Sequence, residues 1–143
     1  MSSPALAQAW APRERPVEEA LPPAADPGRA ASAEIAAMIE AQWRAFLAED
    51  GPAAFAYASP RLQETYQRPS NFMAMVEAEY GLVYRARAIE PLDYVTYEGY
   101  LARRVAVTGP GGERATALYL LARIADGSWR IAGCLLFRPA LQS

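Results

Sequence analysis

Several residue types that commonly carry chemistry are missing from this sequence of 143 residues or occur only once. There is no histidine, so a Ser-His-Asp triad, a Cys-His pair and a histidine-bound zinc site are excluded. There is no lysine, and the 14 basic residues are arginines scattered along the chain. The single cysteine, Cys134, cannot form an internal disulfide and therefore says little about the compartment.

Long apolar runs and excess charge are also absent. No apolar run approaches the roughly 18–20 residues needed to cross a bilayer, so the sequence predicts no transmembrane segment. The net charge of −2 gives no long-range attraction to nucleic acid, which we do not expect as a partner. The length corresponds to one domain, and an apolar content of 52% suffices for a packed core.

The N-terminal region has its own composition. Residues 1–30 hold six of the 12 prolines, which predicts a disordered tail ahead of one domain over 31–143. Within the tail, residues 5–9 are similar to the cleavage region of a secretory signal peptide, without the basic and apolar stretches that should precede it. Two interpretations stay open: an accidental similarity in a cytoplasmic protein, or a missing upstream leader and a periplasmic or secreted protein.

The next part of the sequence has helical periodicity. A first helix is predicted over 32–48, with Ser32 as its N-cap and one broad apolar stripe. Shorter helices are predicted over 52–58, 61–66 and from Ser70 or Asn71 to Tyr80, each separated from the next by proline or glycine. Several helices therefore precede the point at which the period changes.

From residue 83 the apolar period is about two. Strands are predicted over 83–90, 100–108, 114–124 and 128–137, with a glycine-rich turn at 109–112 and a hairpin turn at Asp126-Gly127. Helices followed by an antiparallel meander indicate an α+β fold, with the helices packed on a sheet of about four strands.

The last hairpin predicts an unusual sheet. A two-residue turn at Asp126-Gly127 places Ile124 opposite Trp129, and alternation then separates two faces. The face predicted to meet the helices contains Thr116, Leu118, Leu120, Ala122, Ile124, Trp129, Ile131, Gly133, Leu135 and Phe137. The other face contains Ala117, Tyr119, Leu121, Arg123, Arg130, Ala132, Cys134 and Leu136, and it is also mostly apolar.

A second apolar face needs a cover. A second subunit is the simplest one and the N-terminal tail the next, so we expect a homodimer with Tyr119, Arg123, Arg130 and Cys134 in its interface. Arg123 and Arg130 would lie directly opposite each other, where like charges repel. Either the two guanidinium groups separate into solvent, or an anion or a partner carboxylate bridges them.

A family resemblance rests on several of these segments. The sequence over 39–46, 53–60, 71–76 and 83–85, Ala117-Leu118-Tyr119 and the final stretch over 126–134 resemble an uncharacterised bacterial family, DUF4864, over about residues 32 to 138. The order of elements is similar to the wider nuclear transport factor 2-like, or cystatin-like, superfamily. That resemblance implies a cone-shaped domain with a pocket between sheet and helices, and it implies no particular activity.

The residues predicted to line that pocket are aromatic. Phe55, Tyr66, Tyr84 and Trp129 are the predicted pocket residues, and a small apolar ligand or a protein is the expected partner. An enzyme would instead need a buried carboxylate working with tyrosines, as in isomerases or hydrolases. The candidate carboxylates are Glu40, Glu64, Glu77, Asp93 and Glu98, and each is expected to be a solvated surface charge.

Three functions are compatible with the sequence. The first is a non-catalytic binding or assembly module that dimerises through one sheet face; the second is a cone-pocket enzyme; the third is a structural subunit of a larger assembly. Cys134 lacks an activating base, and residues 109–112 lack the Lys-Ser/Thr and the helix of a phosphate loop. We therefore predict no catalytic residue, no metal site and no cofactor.

Overall fold

The computed structural model describes residues 21–138 and contains helices followed by an antiparallel sheet. The helices are α1 Arg29–Leu47, α2 Gly51–Ala56, α3 Pro60–Tyr66, α4 Pro69–Glu79 and α5 Gly81–Tyr84. The strands are β1 Ala88–Tyr97, β2 Tyr100–Thr108, β3 Arg114–Arg123 and β4 Trp129–Phe137, paired in the order β1-β2-β3-β4. The predicted α+β class is confirmed. Within the described range, none of the helices combines the length and the hydropathy that crossing a bilayer requires.

Helix α1 buries one face against the rest of the protein. The residues of that face are Ile35, Met38, Ile39, Gln42, Ala45 and Phe46. The helix follows Gly28, whose φ of 113° suits glycine, and so begins before the predicted cap. Ser32 is not that cap: its hydroxyl lies 2.8 Å from the Tyr94 hydroxyl and accepts a hydrogen bond from Arg103 (3.3 Å). These contacts join the start of α1 to the sheet.

The short helices start at capping residues and prolines. The Asp50 carboxylate caps α2 by accepting from the Ala53 amide (3.1 Å), and the Ser59 hydroxyl caps α3 through the Leu62 amide (3.3 Å). Pro52 and Pro60 occupy the first turns of α2 and α3, where a missing N–H costs nothing. The predicted short helices are present with ends displaced by at most two residues, whereas α1 begins three residues before its predicted start.

The segment before the sheet differs from the prediction. Residues 81–84 form α5, closed by the Tyr84 amide donating to the Tyr80 carbonyl (2.9 Å), and β1 begins only at Ala88. The predicted strand over 83–90 is therefore wrong over its first half. Leu82, Val83 and Tyr84 are consecutive buried residues, which a helical turn inside the core accommodates better than a strand with one solvated face.

The strand β1 continues past Pro91 to a tight turn that the sequence analysis missed. Glu98 and Gly99 have φ values of 47° and 84°, as a two-residue type I′ hairpin requires. The pairing of β1 with β2 is irregular between Pro91 and Tyr94. Proline cannot donate to a ladder, so a bulge on an edge strand is a position where it is tolerated.

Both edges of the sheet are protected by other parts of the chain. At the β1 edge, the Thr96 amide donates to the Pro22 carbonyl (2.8 Å) and the Ala24 amide donates to the Tyr94 carbonyl (3.1 Å). At the β4 edge, the Ile131 amide donates to the Tyr57 carbonyl and the Ser59 amide to the Ile131 carbonyl, both at 2.8 Å. Each edge is therefore covered along part of its length, which reduces the stretch that could pair with another chain. The predicted tail extends to residue 30, but residues 22–24 are part of the sheet; residues 1–20 lie outside the described residues.

The last hairpin has a longer loop than predicted. The Ile124 amide donates to the Ser128 carbonyl (2.9 Å), so the loop has three residues, and Gly127 has a φ of 88°. A type I turn followed by a left-handed glycine is a common three-residue hairpin, and Asp-Gly suits it as well as the two-residue turn. Arg123 therefore pairs with Trp129, and a bulge restores the predicted pairing from Leu120 and Gly133 onward.

The two faces of the sheet are inverted relative to the prediction. The inner face, which packs on the helices, contains Val105, Val107, Ala115, Ala117, Tyr119, Leu121, Trp129, Ile131, Cys134 and Leu136. The outer face contains Val95, Tyr97, Ala102, Leu118, Leu120 and Leu135. Alternation predicts both sets correctly in β3, but because both sets are apolar it cannot say which one meets the helices. The bulge in β4 moves Trp129 and Ile131 to the inner face.

Candidate functional site

Three of the four predicted pocket residues meet in one aromatic cluster. Its centre is Phe72 of α4, whose ring centroid lies 5.4 Å from that of Phe55 and 5.9 Å from that of Tyr66. Phe46 of α1 connects the cluster to Tyr84, with a centroid separation of 5.6 Å. Tilted and edge-on rings at these separations attract one another beyond simple burial. Most of this cluster is core, and Tyr84 is the member that also borders an open groove.

That opening, which we call the helical groove, lies between the start of α2 and the start of α4. Its volume is about 700 Å³. The residues that line it are Glu49, Gly51, Pro52, Arg68, Pro69, Ser70, Met73, Ala74, Glu77 and Tyr84. Phe55 and Tyr66, predicted to line a pocket, are not among them. Most of the lining is apolar, because it is formed by two proline rings, Met73 and Tyr84. Three charged side chains also line the groove, namely Glu49, Arg68 and Glu77.

Local sequence brings the two helices together at the groove. Asp50 caps α2 and Pro52 stands in its first turn, while Pro69 begins α4. Gly51 allows a close approach, because a Cβ placed there would lie 3.3 Å from Met73 Cγ and 3.3 Å from Pro69 Cβ. A Cβ at position 51 would be tight against both atoms, which would have to shift by a few tenths of an ångström to admit it. The shape of the groove thus depends on one glycine and two helix-starting prolines.

Tyr84 lines this groove and has a pKa above the usual value for tyrosine. Burial raises the pKa of Tyr84, and the nearby carboxylates of Glu77 and Glu49 raise it further, against a small opposing effect of Arg85. The phenol is therefore a neutral hydrogen-bond donor throughout the physiological range. It makes no hydrogen bond to any residue in the described part of the chain. Glu77 is paired with Arg85 at 2.9 Å, and both side chains are about half exposed.

Trp129 lies in a different place, which we call the tryptophan groove. This opening of about 330 Å³ is lined by Glu34, Ala37, Met38, Ala41, Tyr57, Trp129 and Arg130. The Glu34 carboxylate accepts from the Trp129 backbone amide (3.1 Å), and the Arg123 guanidinium lies 5.4 Å from the indole ring centroid. The indole Nε1 is buried and has no hydrogen-bond partner among residues 21–138. The prediction that Trp129 shares a pocket with the other three aromatic residues is wrong.

The predicted interface residues do not form a common surface. Tyr119 and Cys134 are paired across β3 and β4 and are fully buried on the inner face, against the helices. Burial raises the pKa of Tyr119 well above its usual value. Arg123 donates to the Gly127 carbonyl (2.9 Å), and Arg130 donates to the Ser128 hydroxyl and the Trp129 carbonyl. Because the loop is one residue longer, Arg123 and Arg130 are not opposite each other, and both alternatives for that pair, separation into solvent or a bridging anion or partner carboxylate, lose their premise.

The carboxylates considered for catalysis are all exposed. Glu40 pairs with Arg44 at 3.1 Å and Asp93 pairs with Arg104 at 2.6 Å, while Glu64 and Glu98 are also at the surface. The hydrogen bond from Arg104 lowers the pKa of Asp93, which is the opposite of what a general acid needs. The expectation of solvated surface charges is confirmed for these carboxylates, including Glu77.

A buried polar residue was missed by the sequence analysis. Gln42 is completely buried on α1; its Nε2 donates to the Ala54 carbonyl (3.1 Å), and its Oε1 has no partner among the residues that the structure describes. The signal was present, since Gln42 interrupts the apolar stripe between Met38 and Phe46 at helical spacing. In the part of the chain that the structure describes, no three Cys, Asp or Glu residues are grouped closely enough to hold a metal ion.

The structure therefore defines a class of protein by its layers: a set of helices on the inner face of a four-stranded antiparallel sheet, with a mainly apolar groove between two of the helices. The chain belongs to the DUF4864 family, a domain of unknown function, whose sequence profile matches residues 29–143. No curated protein and no solved structure matched it.

Proposed function

We propose that this protein is a non-catalytic binding module that takes a small, mainly apolar ligand in the helical groove. The observation that carries the proposal is the groove itself. Its volume of about 700 Å³ lies within the range of small-molecule sites, which combine an apolar lining with a few polar groups. The helical groove has that composition, with Met73 and two prolines beside Tyr84, Arg68 and Glu49.

Tyr84 supplies the expected directional contact. Its hydroxyl stays protonated because its pKa is raised, and no described residue uses it as a donor. A ligand with a hydrogen-bond acceptor next to an apolar body would satisfy this donor while burying the prolines and Met73. The charges around the groove balance, since Arg68 and the Arg85 paired with Glu77 offset the carboxylates of Glu49 and Glu77, so the groove offers no net charge to attract an ionic ligand. We therefore assign a neutral, partly apolar molecule with one acceptor as the ligand class.

The other readings have less support. An enzyme of the kind expected from the sequence needs a buried carboxylate, and its five candidates are exposed. A homodimer through Tyr119 and Cys134 has no support, because both residues are buried on the sheet face that packs on the helices. Membership of the nuclear transport factor 2-like superfamily stays a prediction. The order of elements, with helices first and an antiparallel meander after them, is compatible with it.

Filling the groove tests the proposal. Ala74→Trp places an indole on the groove wall, whereas Ala78→Trp adds the same side chain one turn further along α4, at an exposed position outside the lining. We expect the neutral dye Nile red to bind the full-length wild type saturably, with increased fluorescence. Ala74→Trp should weaken that binding at least about tenfold, or roughly 1.4 kcal/mol, and Ala78→Trp should leave it unchanged.

Two results contradict the proposal. One is wild-type protein that does not enhance the dye's fluorescence saturably at any accessible concentration. The other is equal binding by wild type, Ala74→Trp and Ala78→Trp, which would place the dye outside the helical groove. Thermal unfolding of both variants distinguishes loss of the groove from loss of the fold, since both substitutions lie at exposed positions and should leave the unfolding temperature nearly unchanged.

A further inference from the structure

The outer face of the sheet is a second apolar surface, separate from the helical groove. Ala102, Leu118, Leu120 and Leu135 are fully buried there, and Val95 and Tyr97 are nearly so. The half-buried residues that pack on this cluster are Leu21, Tyr100, Ala132 and Phe137. Leu21 is the one member from outside the sheet among the described residues. An antiparallel sheet with one face in water normally carries polar residues on that face, and side chains buried to this degree do not lie in water, so this face is covered by more than the sheet and Leu21.

The chain approaches the outer face from the β1 edge. The Pro22 carbonyl accepts from the Thr96 amide (2.8 Å), Pro23 is bridged to Val95, and the Ala24 amide donates to the Tyr94 carbonyl (3.1 Å). Residues 22–24 thus form a short antiparallel addition to β1, and proline is tolerated at such an edge. One residue earlier, Leu21 already packs on the outer-face cluster. Residues 1–20 therefore join the described chain at the border of this surface.

The length of that segment is sufficient to cross the sheet. Twenty extended residues reach about 66 Å at about 3.3 Å each. Four strands at a spacing of about 4.8 Å make a sheet only about 19 Å wide. The segment contains three large apolar residues that could pack on the outer face, Leu6, Trp10 and Val17. Pro12 and Pro16 restrict the backbone before it packs, so less conformational entropy is lost when the segment becomes ordered.

We propose that residues 1–20 pack across the outer face of their own chain and form its cover. Leu21 is the first contact of this cover, and the Pro22 and Ala24 hydrogen bonds anchor it to β1. A face covered in this way is not free to bind a second copy. The proline-rich start of the sequence then functions as part of the domain.

A spin label on the outer face tests this proposal in the full chain. Ala106 is half-buried on β2 and shares the outer face with Ala102 by strand alternation. Ala106→Cys can be labelled with a nitroxide, because the natural Cys134 is completely buried. Ala78→Cys, exposed on α4, is the matched control on the helical side. Wild type treated with the same reagent shows whether Cys134 reacts.

We expect the amide signals of residues 1–20 to lose most of their intensity in spin-labelled Ala106→Cys and to keep it in spin-labelled Ala78→Cys. In a mixture of ¹⁵N-labelled wild type and spin-labelled Ala106→Cys without ¹⁵N, those signals should stay sharp, since the contact is within one chain. Full intensity of residues 1–20 in spin-labelled Ala106→Cys overturns the proposal. Broadening in the mixed sample also overturns it, and assigns the face to a second copy. Broadening confined to residues 139–143 assigns the cover to the C-terminus instead.

Discussion

At the scale of single residues, burial decides which side chains can be functional. Tyr84 and Tyr119 are both buried tyrosines with raised pKa values, yet only Tyr84 borders an opening. The sequences leading up to the two tyrosines are similar, since each tyrosine follows two uncharged apolar residues, in Leu82-Val83-Tyr84 and Ala117-Leu118-Tyr119. The sequence predicts Tyr84 as a pocket residue and Tyr119 as an interface residue. The structure places Tyr119 inside the core, because its strand face meets the helices.

The burial of Tyr119 has a consequence for stability at high pH. Burial raises the pKa of Tyr119 in the folded protein well above the usual value for tyrosine, so the folded state keeps the proton when the unfolded chain has lost it. Its contribution to stability is complete below the unfolded pKa and is lost progressively as the pH rises from that value through the higher folded pKa. We expect the free energy of unfolding to fall as the pH rises above about 10, the ordinary pKa of a tyrosine in the unfolded chain.

The variant Tyr119→Phe removes this titration, and urea unfolding measured along the same pH series checks the effect. The fall in unfolding free energy should become shallower in Tyr119→Phe than in wild type. Tyr66→Phe is the matched control, because burial raises the pKa of the half-buried Tyr66 less strongly. An unchanged slope in Tyr119→Phe would show that this phenol does not control the alkaline loss of stability.

At the scale of helices and strands, caps and turns explain most boundaries. Asp50 and Ser59 begin α2 and α3 as side-chain caps, and their prolines can be recognised in the sequence. The end of α3 is different: Gln67 has a φ of 68° and a ψ of −40°, a conformation that favours glycine. Nothing in the sequence marks Gln67 for this backbone conformation.

Gln67 therefore offers a stabilising substitution. Gln67→Gly should raise the free energy of unfolding by up to about 1 kcal/mol, since relief of backbone strain exceeds the added entropy of the unfolded chain. Glu64→Gly, at an exposed position inside the same helix, should lower it by about 1 kcal/mol. Urea denaturation compares the two. Equal losses of stability in both variants would mean that Gln67 carries no strain.

In the sheet, the strands can be predicted from the sequence, but the face that meets the helices and the details of strand register cannot. Strands β2 and β3 and the turn at 109–112 are predicted closely, because alternation and glycine are strong local signals. The inversion of the two faces has a nonlocal cause, since both faces are apolar and only packing decides which one meets α1. The extra residue in the loop at Asp126-Gly127 shifts the pairing of β3 with β4 by one residue, and the bulge in β4 shifts it back. Neither feature can be recognised from the apolar alternation of β3 alone.

At the scale of the whole molecule, two apolar surfaces have different origins. The helical groove exists because Gly51 lets α2 approach α4 while Pro52, Pro69 and Met73 keep its walls apolar. Such a groove depends on the relative positions of distant segments, so the sequence predicts Tyr84 but not its neighbours. The part of the outer face that β3 supplies, Leu118 and Leu120, follows directly from alternation, although the sequence predicts that these residues meet the helices.

The most direct test of the binding proposal is a map of where a ligand of the assigned class contacts the protein. ¹⁵N-labelled full-length protein is titrated with 1-naphthol, a neutral molecule whose oxygen can accept from Tyr84. We expect saturable amide shifts concentrated at Gly51, Ser70 and Ala74, and weaker binding at the same site in Tyr84→Phe. Shifts that do not saturate, or that are largest in β3 and β4, would contradict the assignment of the helical groove as the binding site.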